Sequence, residues 1–172
     1  DNIQFGLFLD SNCIDNTILG NNCSGNDDSG IMLVGSNDNR ILGNTANYNG
    51  HGIYLYDSSY RNNISGNTAN YNDYGIRLGG YNNSISGNTA NYNDYGIRLG
   101  GYNNSISGNT ANYNDYGIRL GGYNNSISGN TANNNTNSGI SLYNSNTNNI
   151  SGNTANYNDY GIHLEGSNNI IS

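Results

Sequence analysis

The sequence predicts an all-β solenoid, a single-stranded parallel β-helix of about 21–24 residues per turn with three short strands in each turn. Three observations carry that expectation. A 21-residue unit spanning Ile64 to Ser84 recurs letter for letter at 85–105 and 106–126. A fixed period of this length marks stacked repeats, each too small to bury an apolar face alone. Apolar residues fall at the same offsets in every copy, and no stretch has the length and 3.6-residue period of an amphipathic helix.

The first strand opens each turn with Gly and an alternating pair of apolar residues. It reads Gly6-Leu7-Phe8-Leu9, Gly30-Ile31-Met32-Leu33 and Gly52-Ile53-Tyr54-Leu55. Gly75, Gly96 and Gly117 are then each followed by Ile-Arg-Leu, before Gly139-Ile140-Ser141-Leu142 and Gly161-Ile162-His163-Leu164. Alternation sends Ile and Leu to one face and the variable third residue to the other. The second strand carries one apolar anchor per turn: Ile18, Ile41, Ile64, Ile85, Ile106, Ile127, Ile150 and Ile170. The third contributes only a small inward residue, Cys23 or its counterparts Ala46, Ala69, Ala90, Ala111, Ala132 and Ala155. Spacing between the first strand and the next anchor varies more than any other, so insertions are expected at one solvent-facing corner.

Three Asn columns mark the corners. One lies two residues before the anchor (Asn62, Asn83, Asn104, Asn125), a second three after it (Asn67, Asn88, Asn109, Asn130) and a third eight after it (Asn72, Asn93, Asn114). Asn tolerates left-handed turn conformations, and its amide can bond the backbone or the identical amide one turn away, so these columns are expected to be structural ladders.

Composition narrows the function. Of 172 residues, 12 are acidic and 5 basic, giving a net charge of −7, yet each identical unit is neutral with one Asp and one Arg. So few basic residues leave no patch for phosphates, and nucleic acid is not an expected partner. No apolar run has membrane-spanning length, so membrane insertion is not expected either.

The Asn-x-Ile-x-x-Asn-x-x-x-x-Asn-x-x-Gly-Ile-x-Leu pattern resembles the right-handed parallel β-helix repeats of NosD-like proteins and of related carbohydrate-binding and sugar-hydrolase domains. The near-identical, Asn-rich copies are also similar to repeats in surface proteins of methanogenic archaea. That resemblance implies an extracellular, cell-surface setting. It also raises copper, since NosD-like proteins are described as periplasmic copper-binding. Soft or imidazole donors must cluster to hold copper. The chain offers only His51, His163, Met32, Cys13 and Cys23, and the two histidines sit five turns apart, on the order of 24 Å. No cofactor or metal is therefore expected. A Cys13–Cys23 disulfide stays open as an alternative to Cys23 as a small buried hydrophobe.

Asp28, Asp73, Asp94, Asp115 and Asp159 share one column, and Arg77, Arg98 and Arg119 lie four residues on, so exposed ion pairs between the two columns are expected. A uniform repeat makes uniform surfaces, so a catalytic centre should show as a break. The charged breaks include Asp10, Asp15, Asp27 and Glu165, together with Asp38, Arg40, Asp57 and Arg61 at neighbouring corners. They assemble no convergent acid–base constellation, and the chain is expected not to be an enzyme.

Outward aromatic columns are the candidate ligand sites. Tyr60, Tyr81, Tyr102 and Tyr123 form one stack and Tyr74, Tyr95 and Tyr116 another, with a third at Tyr48, Tyr71, Tyr92 and Tyr113. Aromatic faces in rows suit a polysaccharide lying along the solenoid axis. A Thr-x-Asn lattice from Thr45 and Asn47 to Thr154 and Asn156 is similar to the flat faces of ice-binding solenoids, a minor alternative. Sequons from Asn22 to Asn149 follow from an Asn- and Ser-rich repeat as readily as from glycosylation. The chain opens at Asp1 part-way through a turn and closes inside a second strand at Ser172, so residues 1–172 read as one solenoid domain, a fragment of a longer one or an end-to-end stacking unit. The expected function is a structural or adhesive extracellular module, with a carbohydrate-binding module as first alternative and a polysaccharide-processing enzyme fragment as second.

Overall fold

Two parallel eight-stranded sheets hold all sixteen strands of the structure, a computed structural model that describes residues 2–172 and, at Asp57, the backbone alone. Asp1, where the sequence opens, lies outside the described residues. The odd-numbered strands form one sheet: β1 (Phe5–Leu9), β3 (Ser29–Val34), β5 (His51–Tyr60), β7 (Tyr74–Tyr81), β9 (Tyr95–Tyr102), β11 (Tyr116–Tyr123), β13 (Ser138–Asn146) and β15 (Tyr160–Leu164). The even-numbered strands form the other: β2 (Thr17–Leu19), β4 (Arg40–Leu42), β6 (Asn63–Ser65), β8 (Ser84–Ser86), β10 (Ser105–Ser107), β12 (Ser126–Ser128), β14 (Asn149–Ser151) and β16 (Ile170–Ile171). Each strand pairs with its copy one turn above and below, and the crossovers make a right-handed parallel β-helix.

The expected third strand is shorter than the pattern suggested. It survives as single bridges that link Thr45, Thr68, Thr89, Thr110, Thr131 and Thr154 in one row. Only Thr68, Ala69 and Asn70 separate Asn67 from the corner at Tyr71, too few to extend a ladder. The last turn also differs from the sequence expectation. Asn168 takes the left-handed corner conformation (φ 58°), so Asn169 joins the ladder, and Ile171 rather than Ile170 lies in register with Ile150.

The core follows from alternation. Ile76 and Leu78 from the first sheet, Ile85 from the second and Ala90 from the third side are all buried, and the same four positions repeat up the axis. Burying an Ile or Leu side chain stabilises by about 1.5–3 kcal/mol. Glycine before each Ile is a packing requirement. A Cβ on Gly75 would sit 2.6 Å from the Gly96 carbonyl oxygen and 2.9 Å from the Ala90 Cβ. Cys23 fills the Ala slot as a free, buried thiol whose pKa burial pushes up, and Cys13 is free as well, so the two form no disulfide.

Each of the three corners uses the same two-residue device, a left-handed residue followed by an inward Asn. Gly66 precedes Asn67, Tyr71 precedes Asn72 and Asn82 precedes Asn83, with φ of 64°, 58° and 56°. At such a bend the backbone N–H has no partner strand, and a buried donor without a partner is costly. The side chain one turn on supplies the acceptor. Asn88 N–H donates to Asn109 Oδ1 at 3.0 Å, and Asn109 Nδ2 donates to the Ile85 carbonyl at 2.9 Å. A fourth ladder was not anticipated: Asn70 N–H donates to Asn47 Oδ1 at 2.7 Å, and this pattern continues to Asn156. The Asn column of the Thr-x-Asn face is thus engaged with the neighbouring backbone rather than standing free.

Candidate functional site: an arginine-lined trough

On the outer face of the first sheet a trough of about 360 Å³ runs along the solenoid axis. That volume lies within the range of about 300–1,000 Å³ usual for ligand clefts. Its floor is made by Gly79, Gly100 and Gly121, and Arg77, Arg98 and Arg119 line one side. Tyr54 and Tyr56 stand at one end and Tyr143 at the other. Strand register aligns these residues: Arg77 pairs with Arg98 and Arg98 with Arg119, and Gly79, Gly100 and Gly121 do likewise.

The two glycines of each Gly-Gly pair have different causes. Gly101 has φ 126°, and a Cβ on it would lie 1.9 Å from the Gly80 carbonyl oxygen, so the fold demands glycine there. Gly100 has no left-handed φ, and a Cβ on it would meet nothing nearer than the Leu78 oxygen at 3.9 Å. A Cβ on Gly79 would meet nothing within 4 Å. Neither backbone nor packing requires glycine at 79, 100 and 121, and glycine inside a strand costs about 0.5–1 kcal/mol relative to alanine. What these residues accomplish is an open floor. In the turns on either side Tyr56 and Tyr143 follow the inward Leu55 and Leu142 in the same slot, and there the trough closes.

Among the described residues Arg77, Arg98 and Arg119 pair with no carboxylate, which corrects the expected ion pairs with the Asp column. Asp73 lies in the corner before β7, while Arg77 stands within the strand. The guanidiniums turn instead to tyrosine. Arg98 lies over the rings of Tyr74 and Tyr95 at 5.6 and 5.4 Å, and its Nη1 donates to the Tyr74 hydroxyl at 3.1 Å. Arg119 repeats this with Tyr95 and Tyr116. Within the stacked Asp column, burial together with the charges of Asp73 and Asp115 raises the pKa of Asp94.

Every predicted tyrosine column exists as a stack, with consequences for what it can bind. Tyr60, Tyr81, Tyr102 and Tyr123 lie 5.0–5.1 Å apart with interplanar angles of 1–5°. Tyr74, Tyr95 and Tyr116 lie 5.0–5.2 Å apart at 6°. Neighbouring rings cover one another's faces, so solvent meets edges and hydroxyls. In the second column the rings hold the arginines. Tyr54, Tyr56 and Tyr143 line the ends of the trough and belong to neither column.

Of the charged breaks, Arg61 and Asp38 form a bidentate pair at 2.6 Å for each bond, and the Arg61 hydrogen bond holds the Asp38 pKa down. Asp57 has no described side chain, so its expected part in this cluster lies outside the described residues. His51 packs between the rings of Tyr54 and Tyr74, and its Nε2 faces Arg77 Nη1 at 3.4 Å. Burial first, and the Arg77 charge second, hold its pKa below the usual value. His163 lies at the opposite end, 3.8 Å from Glu165. Copper does not fit this donor set. One imidazole faces a guanidinium, the other stands five turns away, and no three His, Cys, Asp or Glu side chains converge among the described residues.

A family model described as "Periplasmic copper-binding protein (NosD)" matches residues 1–84 and 78–172. No curated protein matches the sequence. Among solved structures, the A-module of mannuronan C-5 epimerase AlgE6 from Azotobacter vinelandii is similar with a TM-score of 0.79 at 20% identity, covering 98% of this chain and 57% of that one. The periplasmic alginate epimerase AlgG, solved as a mutant, is similar with a TM-score of 0.78 at 19% identity, covering 98% of this chain and 49% of its own. The AlgE4 A-module from Azotobacter vinelandii gives 0.70 at 18% identity, covering 95% of this chain and 59% of that one. The chain thus spans about half to three-fifths of these solved chains. Their likeness establishes the fold. It also overturns the expectation of a chain that is not an enzyme, because these three similar structures are epimerases.

Proposed function

We propose, for a chain that belongs to the NosD family, that it binds an extended polysaccharide lying along the solenoid axis in the glycine-floored trough. The observation that carries this reading is the open floor at Gly79, Gly100 and Gly121, where glycine answers no need of backbone or packing. A structural or adhesive role accounts for the Asn ladders, which any such solenoid needs, but leaves the floor unexplained. Three turns of floor flanked by guanidinium and phenol donors suit a polymer with ring oxygens and hydroxyls at regular intervals. The names of the similar structures, epimerases of mannuronan and alginate, support a glycan ligand. The word periplasmic in the family description and in the name of AlgG supports a setting outside the cytoplasm, periplasmic or extracellular.

The test is to fill the floor. Gly79→Leu, Gly100→Leu and Gly121→Leu, combined, place three side chains in the trough at positions with room for a Cβ. Circular dichroism should be unchanged, while retention on immobilised polysaccharides or in affinity electrophoresis is lost. A folded triple variant that binds every polysaccharide as the parent does would overturn the reading.

A further inference from the structure

We propose that the polymer in the trough is acidic, and that Arg77, Arg98 and Arg119 take those of its sugar carboxylates that face their side of the trough. This rests on the polysaccharide reading of the same trough and adds its charge. Three guanidiniums recur once per turn, at the spacing of about 5 Å shown by the neighbouring Tyr74, Tyr95 and Tyr116 rings.

The arginines are prepared for anions in two ways. None is paired with a carboxylate, and none of the residues lining the trough is acidic, among the described residues, although the chain carries a net charge of −7. Like charges one turn apart repel, and an acidic ligand relieves that repulsion where a neutral one leaves it. Each side chain is also held in place before binding. Arg98 and Arg119 each give one hydrogen bond to a tyrosine hydroxyl and lie between tyrosine rings, which leaves most of their five donors for a planar, two-pronged grip on carboxylate. Ordering a long side chain is a large part of the cost of binding, and the tyrosines have already imposed it. The Asp73, Asp94 and Asp115 carboxylates lie in the corner before each strand and form no ion pair with these arginines. Tyr56 and Tyr143 close the floor at both ends, so the segment of polymer that can be gripped spans three turns.

The experiment is calorimetric titration with polygalacturonate oligomers of two to eight sugars, with the same oligomers reduced at the carboxyl group, and with inorganic polyphosphate of matched lengths. Affinity should rise steeply up to three or four sugars and then level off. The reduced oligomers should bind at least tenfold more weakly, and Arg98→Gln should weaken the acidic series at least tenfold and the reduced series by a much smaller factor. Arg98→Lys should recover part of the loss, since it keeps the charge without the fork. Equal binding of acidic and reduced oligomers overturns this inference and leaves the polysaccharide reading standing. Absence of binding by either series overturns both. Polyphosphate binding with the same affinity and length dependence shows a general anion surface and overturns the match to sugar carboxylates.

Discussion

Replacing Asn109 by alanine removes one rung from a buried ladder, and the structure fixes what that costs. Asn109 is 1% exposed. Its Oδ1 accepts from the Asn88 backbone N–H and from Asn88 Nδ2, both at 3.0 Å, and its Nδ2 donates to the Ile85 carbonyl and to Asn130 Oδ1, both at 2.9 Å. The Asn88 N–H has no other acceptor, and stranding a buried donor costs about 1–3 kcal/mol. Asn130 Oδ1 keeps the Asn109 backbone N–H at 2.9 Å, so its loss is partial. Counting the remaining lost bonds at about 1 kcal/mol for each of two puts the total at about 3–5 kcal/mol. Asn21 is the control, because it sits at the exposed start of the same ladder and its side chain only donates, to Leu19 and Asn44. Asn21→Ala should cost no more than about 1 kcal/mol. Urea unfolding followed by circular dichroism gives both values if the slopes match, and the Asn88 amide should exchange faster in Asn109→Ala than in the parent. Equal costs for the two variants, or a cost below about 1 kcal/mol at Asn109, would refute the ladder as the element that holds the corners.

Two further outcomes follow from the same columns. Asp94 has a folded-state pKa above its ordinary value, so folding favours its protonated form; its contribution is most favourable at low pH and is lost as pH rises from the unfolded pKa through the raised one. Asp94→Asn should therefore stabilise by about 0.5 kcal/mol at pH 7 and by nothing at pH 3, read from paired thermal melts; a gain that persists at pH 3 would refute burial and like charge as its cause. Tyr92 and Tyr113 both hold the left-handed φ of 59° that asparagine tolerates better, and Asn134 occupies that slot one turn on. Tyr113 stacks on one neighbour and Tyr92 on two, so Tyr113→Asn should be near neutral while Tyr92→Asn costs about 1 kcal/mol more, and equal melting temperatures would show that the stacks contribute nothing.

The fold was legible because its causes are local and repeated. Gly75, Ile76 and Leu78 announce an inward-facing strand with a crowded corner, and Ile85 and Ala90 supply the other two sides. What the pattern could not give was the length of the third side, which depends on how few residues separate Asn67 from the Tyr71 corner. The last turn slipped by one residue for a similar reason: Asn168 and Asn169 are the same residue type, and only backbone conformation tells a corner from a ladder rung.

The trough was harder to see because its parts had competing uses. Arg77 stands four residues after Asp73, and on a helix such a pair would meet; on a strand residues four apart are not neighbours, and Arg98 and Arg119 instead lie over a tyrosine of their own turn and hydrogen-bond one of the turn before. Tyr74 reaches Arg98 across a separation of 24 residues, a contact that only the register of β7 and β9 reveals. Gly79 and Gly80 read alike in sequence, yet one is imposed by a carbonyl in the neighbouring turn and the other faces open space. The sequence did hold one signal. Gly79, Gly100 and Gly121 are followed one turn later by Tyr143 and preceded by Tyr56, so the slot takes a large side chain wherever the floor is meant to end. A position that alternates between glycine and tyrosine on an otherwise uniform scaffold is under a constraint other than packing, and here the boundary of the repeat, more than the repeat itself, sets the size of what can bind.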